Sequence, residues 1–262
     1  MKRPRPLQSS PGWQLLLLLP LFLLASVSES RTLKACGHPF YPPVSWSSED
    51  RLQGLAPTVT RELFGELGYQ VEFSADSNWK RCLLEVKQGK ADIVVAAYRI
   101  ASREQYLSYS NEHIIADTVT LFVNRHKPLK FQQLEDLQDK TVGLLLGDSF
   151  GDEFDRFVNL NSHIEYVSQG RQNFEKLALG RIDYMPLGQL SGYLQSRKFA
   201  FGEQIISLPQ VITTEYYYLA VGRHSDLQQH LPFINRRLRE MRRDGTLNRW
   251  TEQFSQQYLN SP

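Results

Sequence analysis

A buried strand, with an amphipathic helix before it and a polar loop after it, constrains the fold of this chain more than any other feature. The helix has one apolar face, formed by Trp79, Cys82, Leu83 and Val86. Gly89 follows, and glycine readily takes the left-handed conformation that ends a helix. Residues 93–96 are then all apolar, which predicts a strand covered on both faces, as in a parallel sheet.

Arg103 lies just past the predicted carboxyl end of that strand. Small ligands bind at this edge of open α/β sheets, and a guanidinium group binds a carboxylate through two parallel hydrogen bonds. The position therefore predicts a site for a small anionic or zwitterionic solute. The alternative is a structural arginine that pairs with Glu104 or with a strand end.

Strands and helices alternate along most of the chain, which predicts an α/β fold with parallel sheets. Apolar periodicity places strands at 32–36, 69–73, 141–146, 163–167 and 182–185, and helices at 56–67, 174–179, 227–241 and from 246 onward.

Two further strands, 118–123 and 215–221, are predicted to carry the chain into a second lobe and back. They divide it into a first lobe of residues 32–117 plus 216–262 and a second lobe of residues 118–215. Paired crossings between two α/β units are the arrangement of a hinge that closes a cleft. The sequence thus predicts a two-lobed protein with a ligand cleft between the lobes.

A proline-rich loop after the first strand carries four aromatic side chains, those of His38, Phe40, Tyr41 and Trp46. Its prolines, at positions 39, 42 and 43, are expected to hold it extended and to prevent regular pairing. Such a loop has no need of a core aromatic residue, which favours a ligand contact for Tyr41. Trp79 is either a cleft-lining residue or a core residue in the first turn of its helix.

The segment GDSFG, residues 147–151, leads from a strand into a helix that runs to Leu160. Exposed amides at a helix start favour a negative group, and Ser149 adds a hydroxyl donor. Asp148 is itself an anion, so an N-cap of the helix is as good an interpretation for it as contact with a ligand.

The N-terminus has the pattern of a cleaved signal peptide, predicted to comprise residues 1–28. Three basic residues within the first five positions precede an apolar run, Leu15–Leu24, that is too short to span a bilayer comfortably. Small residues suited to cleavage occupy positions 26–28. Cleavage would deliver a soluble protein to the periplasm, and an uncleaved membrane anchor is the alternative.

The charge balance excludes one class of function. Formal net charge is +2, and loss of the basic residues of the signal peptide lowers it to −1. A surface so balanced has no field that would gather nucleic acid. The six histidines show no metal-ligand spacing, so we expect neither a metal nor another cofactor.

Cys36 and Cys82 are the only cysteines. Disulfides persist outside the cytoplasm, and both residues are predicted to lie toward the cleft end of the first lobe. A disulfide between them is favoured. The alternative is a pair of buried thiols that behave as small apolar residues.

Seven segments occur in a specific order and spacing: YPPVSW, a QG followed by a predicted helix, W-x2-C-L-x2-V-x2-G-K-A-D-I, S-R-E-x4-Y-S, TVGLLLGDS, LALGRID and LREMRRDGTLNRW. Together they resemble the extracytoplasmic solute-binding proteins of the polar amino-acid type, family 3. The resemblance covers nearly the whole chain after the signal peptide. It implies the type II periplasmic-binding-protein fold, in which two sheets are joined by two hinge crossings.

The resemblance also implies roles for individual residues. Arg103 takes the position of the arginine that clamps the solute, and Tyr41 and Trp79 take those of the aromatic pair that sandwiches it. A hydroxyl pair at the start of the second lobe falls on Asp148 and Ser149, so one hydroxyl is retained. Tyr98 stands where a serine is common.

Two further positions depart from the family pattern: Ile100 replaces a threonine, and Gly188 replaces the acid that receives the solute's α-ammonium group. An ammonium group enclosed without a carboxylate is costly. Three interpretations are open: Asp148 replaces the acid, another acid such as Asp117 does so, or the solute has no α-ammonium group.

The function implied is that of a monomeric receptor, without a cofactor, that captures a carboxylate-bearing solute and delivers it to the membrane permease of an ABC importer. An enzyme is the first alternative, since a periplasmic dehydratase shares this fold. It would require a general acid, for which Glu85 and Glu104 are nearby in sequence, although their spacing is that of solvated helix faces. The second alternative is a solute sensor that acts through a partner chain.

Overall fold

The computed structural model describes residue 1, residues 30–74 and residues 78–261. The predicted signal peptide, residues 1–28, lies outside the described residues except for Met1. Among the residues that are described, no helix combines the length and the apolar character needed to cross a membrane.

The chain folds into a mixture of strands and helices, as the apolar periodicity predicts. The strands are β1 (Thr32–Cys36), β2 (Phe40–Tyr41), β3 (Ser45–Ser48), β4 (Arg51–Gln53), β5 (Gln70–Phe73), β6 (Ile93–Tyr98), β7 (Leu107–Asn124), β8 (Thr141–Leu145), β9 (His163–Val167), β10 (Met185–Gly188) and β11 (Ile205–Gly222). The α-helices are α1 (Leu55–Glu66), α2 (Trp79–Lys87), α3 (Ala101–Glu104), α4 (Asp152–Asn161), α5 (Gly170–Ala178), α6 (Gln189–Ser196), α7 (Leu231–Arg243) and α8 (Thr246–Asn260). Short 3-10 helices cover Leu134–Leu137, Gly202–Gln204 and Asp226–His230.

A six-stranded mixed sheet, in the order β10-β7-β11-β6-β1-β5, runs through the molecule. Strand β1 is parallel to β5 and β6, whereas β11 is antiparallel to both β6 and β7. Every residue of β6 is buried, as its apolar sequence predicts. The carboxyl ends of β1 and β6 therefore reach the same edge of the sheet, and Arg103 follows β6 at that edge.

Two long paired strands, β7 and β11, link the two lobes. Each has 18 residues, and they pair antiparallel from Leu107 opposite Gly222 to Asn124 opposite Ile205. The sequence predicted only residues 118–123 and 215–221 as strands, because much of the remainder is polar and lacks a continuous apolar pattern. Each strand supplies hydrogen-bonding partners to the other, which holds these polar stretches extended.

In the second lobe, parallel strands β8 and β9 connect to the large sheet through a bridge between Val142 and Tyr184. Two predicted boundaries were wrong here. The strand predicted at 182–185 lies at Met185–Gly188, and the helix predicted from residue 174 begins at Gly170, where Gln169 and Gln172 form a capping box. Helix α6, which was not predicted, follows β10 directly.

The proline-rich segment is a small antiparallel sheet, β2-β3-β4, so the prediction that its prolines prevent pairing was wrong. Phe40 pairs with Trp46, and the turn between them contains the cis peptide Pro42–Pro43. Trp46 is buried against α8, with its ring 5.4 Å from that of Tyr258. Only the other aromatic side chains of this segment therefore remain available to the cleft.

A disulfide joins Cys36, at the end of β1, to Cys82, in the first part of α2. The prediction of a bridge is confirmed, and the alternative of two free thiols is wrong. Because the bridge fixes the start of α2 beside the carboxyl end of β1, it also positions Trp79, the first residue of that helix.

Candidate functional site

One small cavity between the lobes brings together all six residues predicted to contact a solute: Tyr41, Trp79, Tyr98, Arg103, Asp148 and Ser149. His38, Phe150 and Tyr217 complete its lining. The cavity has a volume of about 20 Å³, which is room for about one water molecule. A solute of amino-acid size therefore enters only if the lobes separate or the lining side chains move.

Arg103 is a buried cation in this cavity, with only 4% of its surface exposed. Its guanidinium group donates to the backbone oxygens of Tyr98 (3.3 Å) and Gly147 (3.0 Å) and lies 5.3 Å from the ring centre of Trp79. No ion pair within the described ranges includes Arg103. A nearby acid is Asp155, whose pKa the Arg103 charge lowers against the effect of burial. Burial of a charge without a direct ion-pair partner is costly, so this guanidinium group is suited to receive an anion.

The structural alternative for Arg103 holds only in part. Glu104 pairs with Arg99 instead, at 2.5 Å. Arg103 does contact a strand end, because Tyr98 is the last residue of β6. The second carbonyl, that of Gly147, follows β8 in the other lobe, so Arg103 makes a hydrogen bond across the cleft.

Ser149 and Phe150 lie just before α4 and are held by Asp155 within that helix. The Ser149 hydroxyl donates to one carboxylate oxygen of Asp155, and the Phe150 amide donates to the other at 2.9 Å. Burial raises the pKa of Asp155, while these hydrogen bonds oppose the shift. The Ser149 proton is therefore committed to Asp155 in this conformation.

Asp148 is not the N-cap of the helix, because α4 begins at Asp152 with Gly151 as the cap residue. Its carboxylate instead accepts a hydrogen bond from His38 Nε2 across the cleft, at 3.1 Å. His38 Nδ1 accepts the Phe40 amide at 3.0 Å, so Nε2 carries the proton donated to Asp148. This pair is a second direct contact between the lobes.

Asp117 is a buried acid directly behind the cavity wall, with 7% of its surface exposed. Tyr41 donates its hydroxyl to Asp117 Oδ2 at 2.7 Å, and Tyr98 donates to the same oxygen. Burial raises the pKa of Asp117, and the two tyrosine hydrogen bonds lower it by less. Burial likewise raises the pKa of both tyrosines.

Gly188 contributes to the same network through its backbone amide, which donates to the Tyr41 hydroxyl at 2.8 Å. A Cβ atom added to Gly188 would lie 2.6 Å from Asp117 Cγ. The Gly188 backbone has ordinary dihedral angles, with φ −58°. Space rather than conformation therefore requires glycine here, and the space is filled by the Asp117 carboxylate.

The remaining candidate chemistry lies away from the cavity. Glu85 pairs with Arg81, and neither Glu85 nor Glu104 lines the cavity. Among the described residues, no group of three or more His, Cys, Asp or Glu side chains could hold a metal ion.

A sequence model of the bacterial extracellular solute-binding proteins, family 3, matches residues 33–257. The chain belongs to this family. The match spans both lobes and both long crossing strands, so the family 3 assignment applies to the whole two-lobed unit rather than to one part of it.

Relatives of this family 3 protein are distant in sequence but close in fold. The L-cystine-binding protein TcyA of Bacillus subtilis (strain 168) is 23% identical over 243 residues, which are 88% of this chain and 84% of TcyA. The substrate-binding protein AbpA of Streptococcus pneumoniae, solved with L-arginine, superposes with a TM-score of 0.75 at 16% identity, covering 88% of this chain and 97% of AbpA. The ancestral amino acid-binding protein AncCDT-1, a precursor of cyclohexadienyl dehydratase, has a TM-score of 0.70 at 22% identity and covers 85% and 95% of the two chains.

Three cavity residues of the family 3 protein were not among the residues predicted to contact a solute. His38 was noted only as displayed by the proline-rich segment, Phe150 only as part of the GDSFG turn, and Tyr217 only as part of a crossing strand. Tyr217 carried a usable signal, because polar-tipped aromatic residues at 216–218 interrupt an otherwise apolar strand. Its ring lies 4.5 Å from that of Tyr98 and 5.4 Å from that of Tyr41.

Proposed function

We propose that this family 3 protein is a periplasmic receptor for an amino-acid-type solute, which it captures between its lobes and delivers to the permease of an ABC importer. The observation that carries the proposal is the buried Arg103 guanidinium group, which makes no direct ion pair among the described residues and faces a cavity shared by both lobes. A solute carboxylate would supply that ion-pair partner through charge-assisted hydrogen bonds. The TcyA and AbpA names, which refer to L-cystine and L-arginine, support an amino acid as the solute class.

Binding and release would operate through the contacts that cross the cleft. Contacts of this kind include Arg103 to the Gly147 oxygen, His38 to Asp148, and Tyr41 to the Gly188 amide. When the lobes separate, these groups become available to a solute, and closure around the solute replaces internal contacts with solute contacts. The proposed lobes are residues 32–117 plus 216–262 and residues 118–215, with β7 and β11 as the hinge.

We assign the missing ammonium-binding acid to Asp117. Its carboxylate occupies the space into which a side chain at Gly188 would project, and Tyr41 and Tyr98, which line the cavity, both contact it. Both tyrosine hydroxyls cover this carboxylate in the present conformation, so they would have to move for an α-ammonium group to reach it. The solute's α-ammonium group would thus still meet a carboxylate at the same place in the cleft, although the residue at position 188 no longer supplies it.

The test is a calorimetric and thermal-shift screen of the mature protein against L-amino acids and their des-amino analogues. A ligand that binds only the folded state raises the melting temperature. We expect at least one L-amino acid to bind and its des-amino analogue to bind more weakly. Turnover of a bound compound would favour the dehydratase-like alternative, and binding of neither series would contradict the proposal.

A further inference from the structure

Asp148 lies where two cavities of the interlobe cleft meet. Beside the cavity that holds Arg103 is a second one of about 30 Å³, which is room for one or two water molecules. Asp148 lines both cavities, as do His38, Tyr41 and Phe150. Separation of the lobes would therefore join the two cavities into one elongated site, with the Asp148 carboxylate on the wall where they meet.

Among the described residues, the Asp148 carboxylate has no lysine or arginine partner. Its Oδ1 accepts a hydrogen bond from His38 Nε2 at 3.1 Å, and 12% of the side chain remains exposed. Its Oδ2 accepts no hydrogen bond within the described part of the chain and is not fully enclosed. Burial of a carboxylate is costly unless a positive charge accompanies it, so this carboxylate is suited to receive a cation.

His38 does not supply that positive charge. Its Nδ1 accepts the amide N–H of Phe40 at 3.0 Å, and a ring nitrogen accepts a hydrogen bond only when it carries no proton. A second proton on the imidazole would remove this acceptor from the Phe40 amide. The hydrogen bond to Asp148 therefore comes from a neutral ring.

The charges around the joined site are unequal. Arg103 is the only lysine or arginine of the described chain that lines either cavity. Two carboxylates act on the same cavity, since burial and then the charges of Asp117 and Asp148 raise the pKa of the Tyr217 hydroxyl in its lining. Asp155 adds to the negative excess. The carboxylate and α-ammonium groups of an amino acid would offset Arg103 and Asp117, and a further positive group is needed to offset Asp148.

Tyr41 contacts Asp117 directly and Asp148 only through another residue. Its hydroxyl donates to Asp117 at 2.7 Å, whereas its ring lies 5.3 Å from that of His38, the donor to Asp148. The two carboxylates thus contact different rings. This arrangement favours two positive groups at separate points of the solute over one shared group.

We infer that Asp148 binds a positively charged group in the side chain of the solute, so that the solute class is the cationic amino acids. The inference rests on the proposed function, because Arg103 must hold the solute's carboxylate and Asp117 its α-ammonium group for the side chain to reach Asp148. Asp148 is then a specificity-determining residue. The aliphatic part of such a side chain suits the apolar wall of the second cavity, which includes Phe174 and Leu187.

Four probes with one carbon chain separate the two positive groups of the solute. L-lysine has both, L-norleucine has only the α-ammonium group, 6-aminohexanoate has only the side-chain ammonium group, and hexanoate has neither. L-ornithine and L-arginine extend the series to a shorter and a longer side chain. Calorimetry with the full mature chain should show that at least one cationic amino acid binds at least about tenfold more tightly than L-norleucine.

The decisive variant is Asp148→Asn, which removes the charge but keeps an oxygen that can accept from His38. We expect it to weaken binding of L-lysine and 6-aminohexanoate by at least about tenfold and to leave L-norleucine unchanged. Asp117→Asn should weaken L-lysine and L-norleucine and leave 6-aminohexanoate unchanged. Asp148→Ser provides the same test if the asparagine variant fails to fold.

The matched control is Asp183→Asn, which removes an equal charge from the same lobe. The Asp183 carboxylate accepts the Thr141 amide at 2.7 Å and lines neither cavity. We expect this control to lose some thermal stability and to keep the wild-type order of affinities for the four probes. Loss of the preference for L-lysine in the control as well would mean that overall charge, rather than Asp148, selects the solute.

The outcomes separate the inference from the function beneath it. If amino acids bind and Arg103→Gln abolishes binding, but no cationic amino acid is preferred over L-norleucine, the receptor stands and the inference fails. If Asp148→Asn keeps the preference, another group binds the cation and the inference also fails. If Asp148→Asn weakens L-norleucine as much as L-lysine, Asp148 binds the α-ammonium group instead. If no amino acid binds, the inference and the proposed function fail together.

Discussion

A side chain at Gly188 would begin 2.6 Å from the carboxyl carbon of Asp117, so the acid at position 117 fills the space that an acid at position 188 would need. The two residues are far apart in sequence and adjacent in the large sheet, where β10 pairs with β7. The sequence alone showed that position 188 has no acid. The structure shows that the Asp117 carboxylate, on the neighbouring strand, occupies the adjoining space.

Because the two positions share one space, an acid introduced at position 188 should clash with Asp117, and removal of the Asp117 side chain should relieve the clash. Gly188→Asp places a second buried carboxylate against the first, and we expect it to lower the free energy of unfolding by at least about 3 kcal/mol. Adding Asp117→Ala should recover most of that loss, because the space and the single charge are restored. Urea unfolding of both single variants and of the double variant gives the coupling energy between positions 188 and 117. If the losses of the two single variants simply add in the double variant, the two positions do not share one space.

Replacement of Arg103 by glutamine should weaken solute binding by more than tenfold, because a neutral amide cannot provide two charge-assisted hydrogen bonds to a carboxylate. A modest loss of stability should accompany it, since Arg103 also binds two backbone oxygens. The matched control is Arg99→Gln, because Arg99 is half-exposed and pairs with Glu104. Isothermal titration with the amino acid that raises the melting temperature most compares the two, and equal effects would remove Arg103 from the site.

Removal of the disulfide should destabilise the protein without changing which solute it binds. Cys36 and Cys82 are 46 positions apart, and cross-linking a loop of that length removes about 4 kcal/mol of unfolded-chain entropy in the simple model. We expect the Cys36→Ser/Cys82→Ser variant to show a loss of that order in urea unfolding. A wild-type unfolding midpoint in the double variant would mean that the bridge contributes little beyond local packing.

The pH dependence of stability should carry the signature of Asp117. Burial raises its pKa above the usual 3.8, so the folded state holds this proton to higher pH than the unfolded chain does. Between the two pKa values the folded state binds more protons, and the free energy of unfolding contributed by this group therefore falls as pH rises. The titratable groups that face the Asp117 carboxylate are those of Tyr41, Tyr98, Tyr217 and Glu215.

Asp117→Asn should remove that component, which is measured as a flatter stability profile in the pH range above about 4, the ordinary pKa of an aspartate. Because an α-ammonium group requires the ionised carboxylate, affinity for L-amino acids should rise over the same interval in the wild type and not in the variant. Identical pH profiles for the two proteins would show that Asp117 does not titrate in this range.

Much of the fold was predictable because local chemistry decides it. Apolar periodicity located β6 and the α2 face, and glycine located the helix end. The polar first half of β7 was missed because its extended conformation depends on β11, which lies about a hundred positions away in sequence. The small sheet of the proline-rich segment was missed for a related reason. Proline lacks an N–H donor, but the residues flanking Pro42 and Pro43 still have theirs and pair with one another.

The sequence by itself determined the class of this protein and the residue types of its site, because spacing along one chain places Arg103 at a strand end and two cysteines near each other. Only the tertiary structure decided which acid stands behind Tyr41 and Tyr98 and which hydroxyl is already committed to Asp155. The physical reason is that hydrogen-bond partners and steric exclusion depend on which residues the folded chain brings together in three dimensions. Residues such as Asp117 and Gly188 compete for one position only after the sheet has brought their strands together.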